Sequence, residues 1–143
     1  MTYFRLGIRL EIVKRKKSVL IVTDGTEKVK KMAENIAAAL KGNKILLKDS
    51  SSFSGTDLLP AEILFFGCEK PSPPSFDYFE TLLQHINLAG RPLGIFSPNS
   101  KEALKYLSRI VKDSEAALYS EAFITENARG IEEWTTRIIA AKK

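Results

Sequence analysis

The chain has 143 residues, 44% of them hydrophobic and 27% charged, which fits one globular domain and leaves no length for two. No stretch approaches the roughly 20 apolar residues of a membrane span, and the N-terminus has neither an apolar signal core nor a small-residue cleavage site, so a cytoplasmic protein with no membrane partner is expected. The net charge of +5 is local: residues 1–17 carry six basic side chains (Arg5, Arg9, Lys14, Arg15, Lys16, Lys17) against Glu11, which leaves 22 − 6 = 16 basic and 17 − 1 = 16 acidic groups in the rest.

Residues 1–17 therefore form a basic extension, and residues 18–143 a neutral domain. Within the extension, Phe4, Leu6, Ile8, Leu10 and Ile12 alternate with Arg5, Gly7, Arg9 and Glu11, the period of two of a half-buried strand. Such a strand guards a sheet edge or presents it to an anionic partner, and a solvated arm is the competing expectation.

Ser18-Val19-Leu20-Ile21-Val22 is continuously apolar and β-branched, as expected of a parallel strand covered on both faces. After Thr23-Asp24-Gly25-Thr26, apolar residues at Val29, Met32, Ala33, Ile36, Ala37 and Leu40 fall at helical spacing, with Gly42 as the expected C-terminal cap. Residues 44–47 form a second strand, and residues 50–56 a Ser/Gly-rich loop with at most a turn of helix near Leu58. Residues 63–66 form a third buried strand ending at Gly67-Cys68, and Pro71-Ser72-Pro73-Pro74 then requires a long loop.

Phe76, Phe79, Leu82, Leu83 and Ile86 outline a helix stopped by Gly90 and Pro92, and Leu93-Gly94-Ile95-Phe96 is a fourth strand with the turn Ser97-Pro98-Asn99-Ser100 after it. Asn99 or Ser100 caps a helix that buries Ala103, Leu104, Leu107, Ile110 and Val111. Residues 117–125 form a fifth strand with an interruption, and the last helix carries Ile131, Trp134, Ile138 and Ala141 on one face. Strands and helices alternating in this way imply a doubly wound α/β fold, whose ligands sit at the strand C-terminal ends. Those ends are residues 23–29, 67–75 and 97–100.

Val19-Leu20-Ile21-Val22-Thr23-Asp24-Gly25-Thr26-Glu27-Lys28-Val29, continuing through Ala37, resembles the opening strand, phosphate loop and first helix of a flavodoxin. Residues 58–68 and 90–96 are similar to that family's third and fourth strands, so the likeness covers about residues 18–143. It implies a three-layer sandwich with a five-stranded parallel sheet in the order 2-1-3-4-5, an FMN cofactor, and a redox or regulatory protein partner. The FMN site it implies comprises Asp24, Gly25, Thr26, Glu27, Lys28, Val29, Gly67, Cys68, Ser97, Pro98 and Asn99.

The phosphate loop of flavodoxins follows Ser/Thr-x-Thr-Gly-x-Thr, and here those positions read Asp24-Gly25-Thr26-Glu27-Lys28-Val29. Only the hydroxyl of Thr26 is kept. A hydrogen bond to a charged group contributes about 1.5–3 kcal/mol, so two lost hydroxyls weaken FMN by roughly two to four decades. Asp24 and Glu27 add repulsion, which Lys28 and the helix N–H groups offset in part. Helix capping by Asp24 or Thr26 explains the same residues without any ligand.

The family also stacks aromatics on the flavin ring. Residues 97–100 contain none, and Phe76 and Tyr78 are the candidates for one wall, Phe76 also fitting the core stripe. Cys68, the single cysteine, cannot form an internal disulfide, and the single histidine, His85, excludes a Cys/His metal cluster. Cys68 is either an activated thiol at the functional edge or a small buried hydrophobe. Catalysis at Cys68 or Asp24 has no base, metal or triad in the sequence to support it. Two functions remain: electron transfer through a weakened or altered FMN site or, alternatively, a binding or regulatory module of the same fold that no longer binds flavin.

Overall fold

The computed structural model describes residues 16–125 and 129–140. In chain order these form β1 (Ser18–Thr23), α1 (Glu27–Ala39), β2 (Lys44–Asp49), β3 (Ile63–Gly67), α2 (Asp77–Leu83), β4 (Pro92–Phe96), α3 (Lys101–Val111), β5 (Ala117–Leu118) and α4 (Ile131–Ala140). Short 3₁₀ turns lie at Gly55–Asp57, Pro74–Phe76 and Lys112–Ser114. The expected basic strand over residues 4–12 lies outside the described residues. No described helix is long and apolar enough to cross a membrane.

All strand pairs are parallel and the sheet order is β2-β1-β3-β4-β5, as the alternating pattern and the flavodoxin likeness imply. The continuous apolar runs have the cause expected of them, because successive side chains of one strand enter opposite cores. On β1, Val19 and Ile21 face α1 and α4, while Leu20 and Val22 face the side of α2 and α3. On β3, Ile63 and Phe65 join the first core and Leu64 and Phe66 the second. The helical stripes complete these layers: Val29, Met32, Ala33 and Ile36 of α1 with Ile131, Trp134 and Ile138 of α4, and Phe79 and Leu83 of α2 with Ala103, Leu107, Ile110 and Val111 of α3.

Two elements differ from expectation. Residue 40 takes the C-cap of α1, leaving Gly42 in the turn to β2. Helix α2 stops at Leu83 instead of reaching Ile86, because Gln84 and His85 donate to Thr81 and Leu82 in tighter three-residue steps. The fifth strand is interrupted as expected: it pairs over Ala117–Leu118 and touches β4 again at a single bridge, Phe123 with Phe96. Between them the Glu121 carbonyl turns out of the sheet and accepts the Trp134 indole N–H at 2.6 Å.

Candidate functional site

The C-terminal ends of β1, β2, β3 and β4 converge on one edge of the sheet, where loops are free of ladder pairing and can bind. Only three residues, Asp24, Gly25 and Thr26, connect β1 to α1. Gly25 makes this tight turn possible with φ of +86°, a left-handed value that a Cβ would strain. Of the six loop positions read from the sequence, the last three belong to α1: Glu27 and Lys28 are exposed in its first turn, and Val29 is fully buried beneath it. A hydroxyl at position 29 would point into the core.

The Asp24 carboxylate organises this turn. Its Oδ1 accepts the Thr26 N–H at 3.0 Å and the Thr26 hydroxyl at 2.7 Å. Thr26 occupies the N-cap position of α1 with its side chain turned away from the helix, so it makes no capping bond. Asp24 Oδ2 accepts the Glu69 N–H at 2.8 Å, from the segment that follows β3. The Asp24 carbonyl accepts the Ser75 hydroxyl at 3.3 Å, Ser75 in turn accepts from Ser50 at 2.8 Å, and the Ser50 N–H donates to the Thr23 carbonyl at 2.8 Å. The loops after β1, β2 and β3 are thereby tied together.

A second carboxylate stands beside this knot. The Cβ position of Gly25 lies 3.8 Å from Cβ of Asp49, at the end of β2. The Ser51 hydroxyl, with the Ser51 and Ser52 N–H groups, holds the Asp49 carboxyl below its usual range against a smaller opposing effect of burial. Glu69, Ser75, Ser50 and Asp49 were not singled out in the sequence. A backbone donor such as Glu69 N–H leaves no mark there, and its partner lies 45 positions away.

Gly67 ends β3 under the Phe96 ring, and Cys68 follows it with no exposed surface. Burial, and then the neighbouring Asp24 charge, push the Cys68 thiol up to about 12. Such a thiol is protonated and shielded at neutral pH, the opposite of an activated nucleophile. An aromatic disulfide reagent at pH 8 is expected to leave Cys68 unlabelled in the native protein and to titrate one thiol after unfolding in guanidinium. The raised value in the folded state also means that the unfolded chain loses this proton first. Stability is therefore expected to be undiminished below about pH 9 and to fall as pH rises toward 12, with a flatter fall in Cys68→Ala, read from denaturant midpoints.

Phe76 is fully buried and packs on Phe79 and Tyr106 with ring centroids 5.0 and 6.3 Å away. Tyr78, 54% exposed, is the aromatic left on the surface of α2. At the end of β4, Ser97 and Pro98 are buried and Asn99 is exposed. The Ser97 N–H donates to the Phe123 carbonyl and its hydroxyl accepts the Ser100 N–H, while the Ser100 hydroxyl caps α3 by accepting the Ala103 N–H at 3.0 Å. The fold thus brings Asp24, Gly25, Thr26, Gly67 and Cys68 together, with Ser97, Pro98 and Asn99 at the next strand end, and takes Val29 away into the core. His85 is exposed beyond the end of α2, its ring bonded to the Thr81 carbonyl. No group of three or more His, Cys, Asp or Glu able to hold a metal ion occurs among the described residues.

At Thr26 this arrangement fits an FMN phosphate poorly. The N–H and hydroxyl of Thr26 already serve the Asp24 carboxylate, and Asp49 beside Gly25 and Glu27 in the first turn of α1 add acidic groups at this edge, against the cation Lys28 of that turn.

No protein-family model matches the chain, and no curated protein does. Solved structures do match it. A flavodoxin of Streptococcus pneumonia TIGR4 is 17% identical with a TM-score of 0.75, over 86% of this chain and 97% of that one. Flavodoxin 2 from Bacillus cereus, in its oxidised form, gives 17% and 0.75 over 85% and 97%. A point mutant of Fusobacterium nucleatum flavodoxin, bound to flavin mononucleotide, gives 14% and 0.71 over 90% and 98%. With the sheet order 2-1-3-4-5 and helices on both faces, these likenesses establish that the chain has a flavodoxin-like fold.

Proposed function

We propose that the chain is a flavodoxin-fold binding or regulatory module that works without a tightly held flavin. The observation that carries this reading is the Asp24 carboxylate between β1 and α1, which accepts both the N–H and the hydroxyl of Thr26. A loop that wraps a dianion needs several N–H and hydroxyl donors facing one point. Here Thr26, the one hydroxyl kept from the pattern, gives both of its donors to Asp24, and Val29 is buried with no hydroxyl to give. Its partner is a protein engaged through the strand-end loops, with the basic residues 1–17 adding attraction for an anionic surface that weakens with salt.

Electron transfer through a weakened FMN site is the second reading. The solved flavodoxins support it, one of them bound to flavin mononucleotide. An absorbance spectrum of the purified protein and a titration of FMN fluorescence separate the two. A colourless protein that leaves FMN unquenched at tens of micromolar, a concentration corresponding to only about 6–7 kcal/mol of binding, is expected. A yellow protein, or saturable quenching in that range, would replace the first reading by the second.

A further inference from the structure

We propose that Asp24 is an intramolecular anion that occupies the two donors of Thr26, at the N-cap of α1, and, through Glu69, latches the segment after β3 across the strand ends. The inference rests on the flavin-free reading above and supplies its physical cause. It is argued from the two oxygens of one side chain.

Oδ1 faces the helix. It accepts the backbone N–H and the hydroxyl of Thr26 at 3.0 and 2.7 Å, two donors that an external anion at this helix start would have to win back. The positive helix end favours a negative group there, and Asp24 supplies one covalently, with no translational entropy to lose. Oδ2 faces the other way and accepts the Glu69 N–H at 2.8 Å. Charge-assisted bonds of this kind are the strong ones. The Ser75 hydroxyl on the Asp24 carbonyl and the Ser50 hydroxyl on Ser75 fasten the far end of the same segment. Cys68, which leads into the segment from β3, is fully buried and anchors its near end. One residue thereby takes both Thr26 donors and holds down the loop beside them.

The two functions come apart in two substitutions. In Asp24→Asn the remaining carbonyl still accepts from Thr26, but the amide nitrogen meets the Glu69 N–H donor to donor, so the latch opens and the turn stays. Asp24→Ser is too short to reach Glu69 and adds a hydroxyl donor in place of the charge. Amide exchange followed by NMR is expected to show Glu69 exchanging about tenfold or more faster in both variants, the factor for losing one hydrogen bond to a charge. Thr26 should stay protected in Asp24→Asn and lose protection in Asp24→Ser. Calorimetric titration with inorganic phosphate is expected to give binding at least about tenfold tighter to Asp24→Ser than to the wild type.

Unchanged Glu69 exchange in both variants, with native circular dichroism, would overturn the latch. Phosphate binding equally to wild type and Asp24→Ser would overturn the occupation of the donors. FMN quenching by the wild type would instead sink the flavin-free reading, while Glu69 exchange continues to report on the latch alone.

Discussion

Phe79→Ala is expected to lower stability by about 3–5 kcal/mol, the range for deleting a buried phenylalanine ring, and to lower the melting temperature by about 10–20 °C. Phe79 has no exposed surface and stands at the centre of an aromatic cluster. Its ring lies 5.2 Å from Phe53, 4.8 Å from Phe66 and 5.0 Å from Phe76, each pair close to edge-to-face. Such pairs contribute about 0.5–1.5 kcal/mol each beyond their buried area. Helix α2 has only seven residues, too few to hold its shape by propensity, so packing through Phe79 is what keeps it on the sheet.

The same substitution bears on function. Loss of Phe79 removes one of the two rings packed on Phe76, at the foot of the loop after β3, and is expected to loosen the segment that Asp24 fastens. Tyr78→Ala, one residue away on the exposed side of the helix, is expected to change stability by no more than about 0.5 kcal/mol. Denaturant unfolding of the two variants tests the assignment. Equal losses, or a loss under about 1 kcal/mol for Phe79→Ala, would mean that this cluster is not the keystone of its layer.

The parallel sheet was legible because its strands are buried on both faces and so appear as uninterrupted apolar runs, as in Ile63-Leu64-Phe65-Phe66. Helices α1 and α3 were legible from their stripes, except that α3 buries Tyr106 and leaves Leu104 only partly buried. The interruption of the fifth strand was legible, but the contact found there, the Trp134 indole N–H on the Glu121 carbonyl 13 residues away, has no local signature. The position of the candidate site followed from the strand ends, and Asp24 stood out as an acid where a hydroxyl was expected. What it binds did not follow, since Glu69 and Ser75 lie 45 and 51 residues on and contribute a main-chain donor and a common hydroxyl. The helix start was legible too: the turn read at residues 23–26 ends where α1 begins at Glu27.

Gly67→Ala is the second large effect, expected to cost about 1–3 kcal/mol by overpacking. Gly67 pairs with Phe96 across β3 and β4, and the Phe96 ring lies directly over it. A Cβ at residue 67 would sit 2.6 Å from Cδ2 of that ring and nearer still to Cε2 and Cζ. Because Phe96 is fully buried, its ring has no free space to swing into. Either the ring leaves its rotamer or the end of β3 moves, and a moved β3 carries Cys68 and Glu69 with it, away from Asp24. The cause is separable from a general intolerance of side chains at a strand end. If the ring is the obstacle, Phe96→Leu should recover part of the loss. The double variant is then expected to be more stable than the sum of the two single losses by about 0.5–2 kcal/mol, the coupling of residues in contact. Strict additivity in denaturant unfolding would remove the ring as the cause. Glu69 exchange measured in Gly67→Ala then tells whether the strain reaches the latch, with accelerated exchange expected where β3 moves and native protection where the Phe96 ring alone gives way.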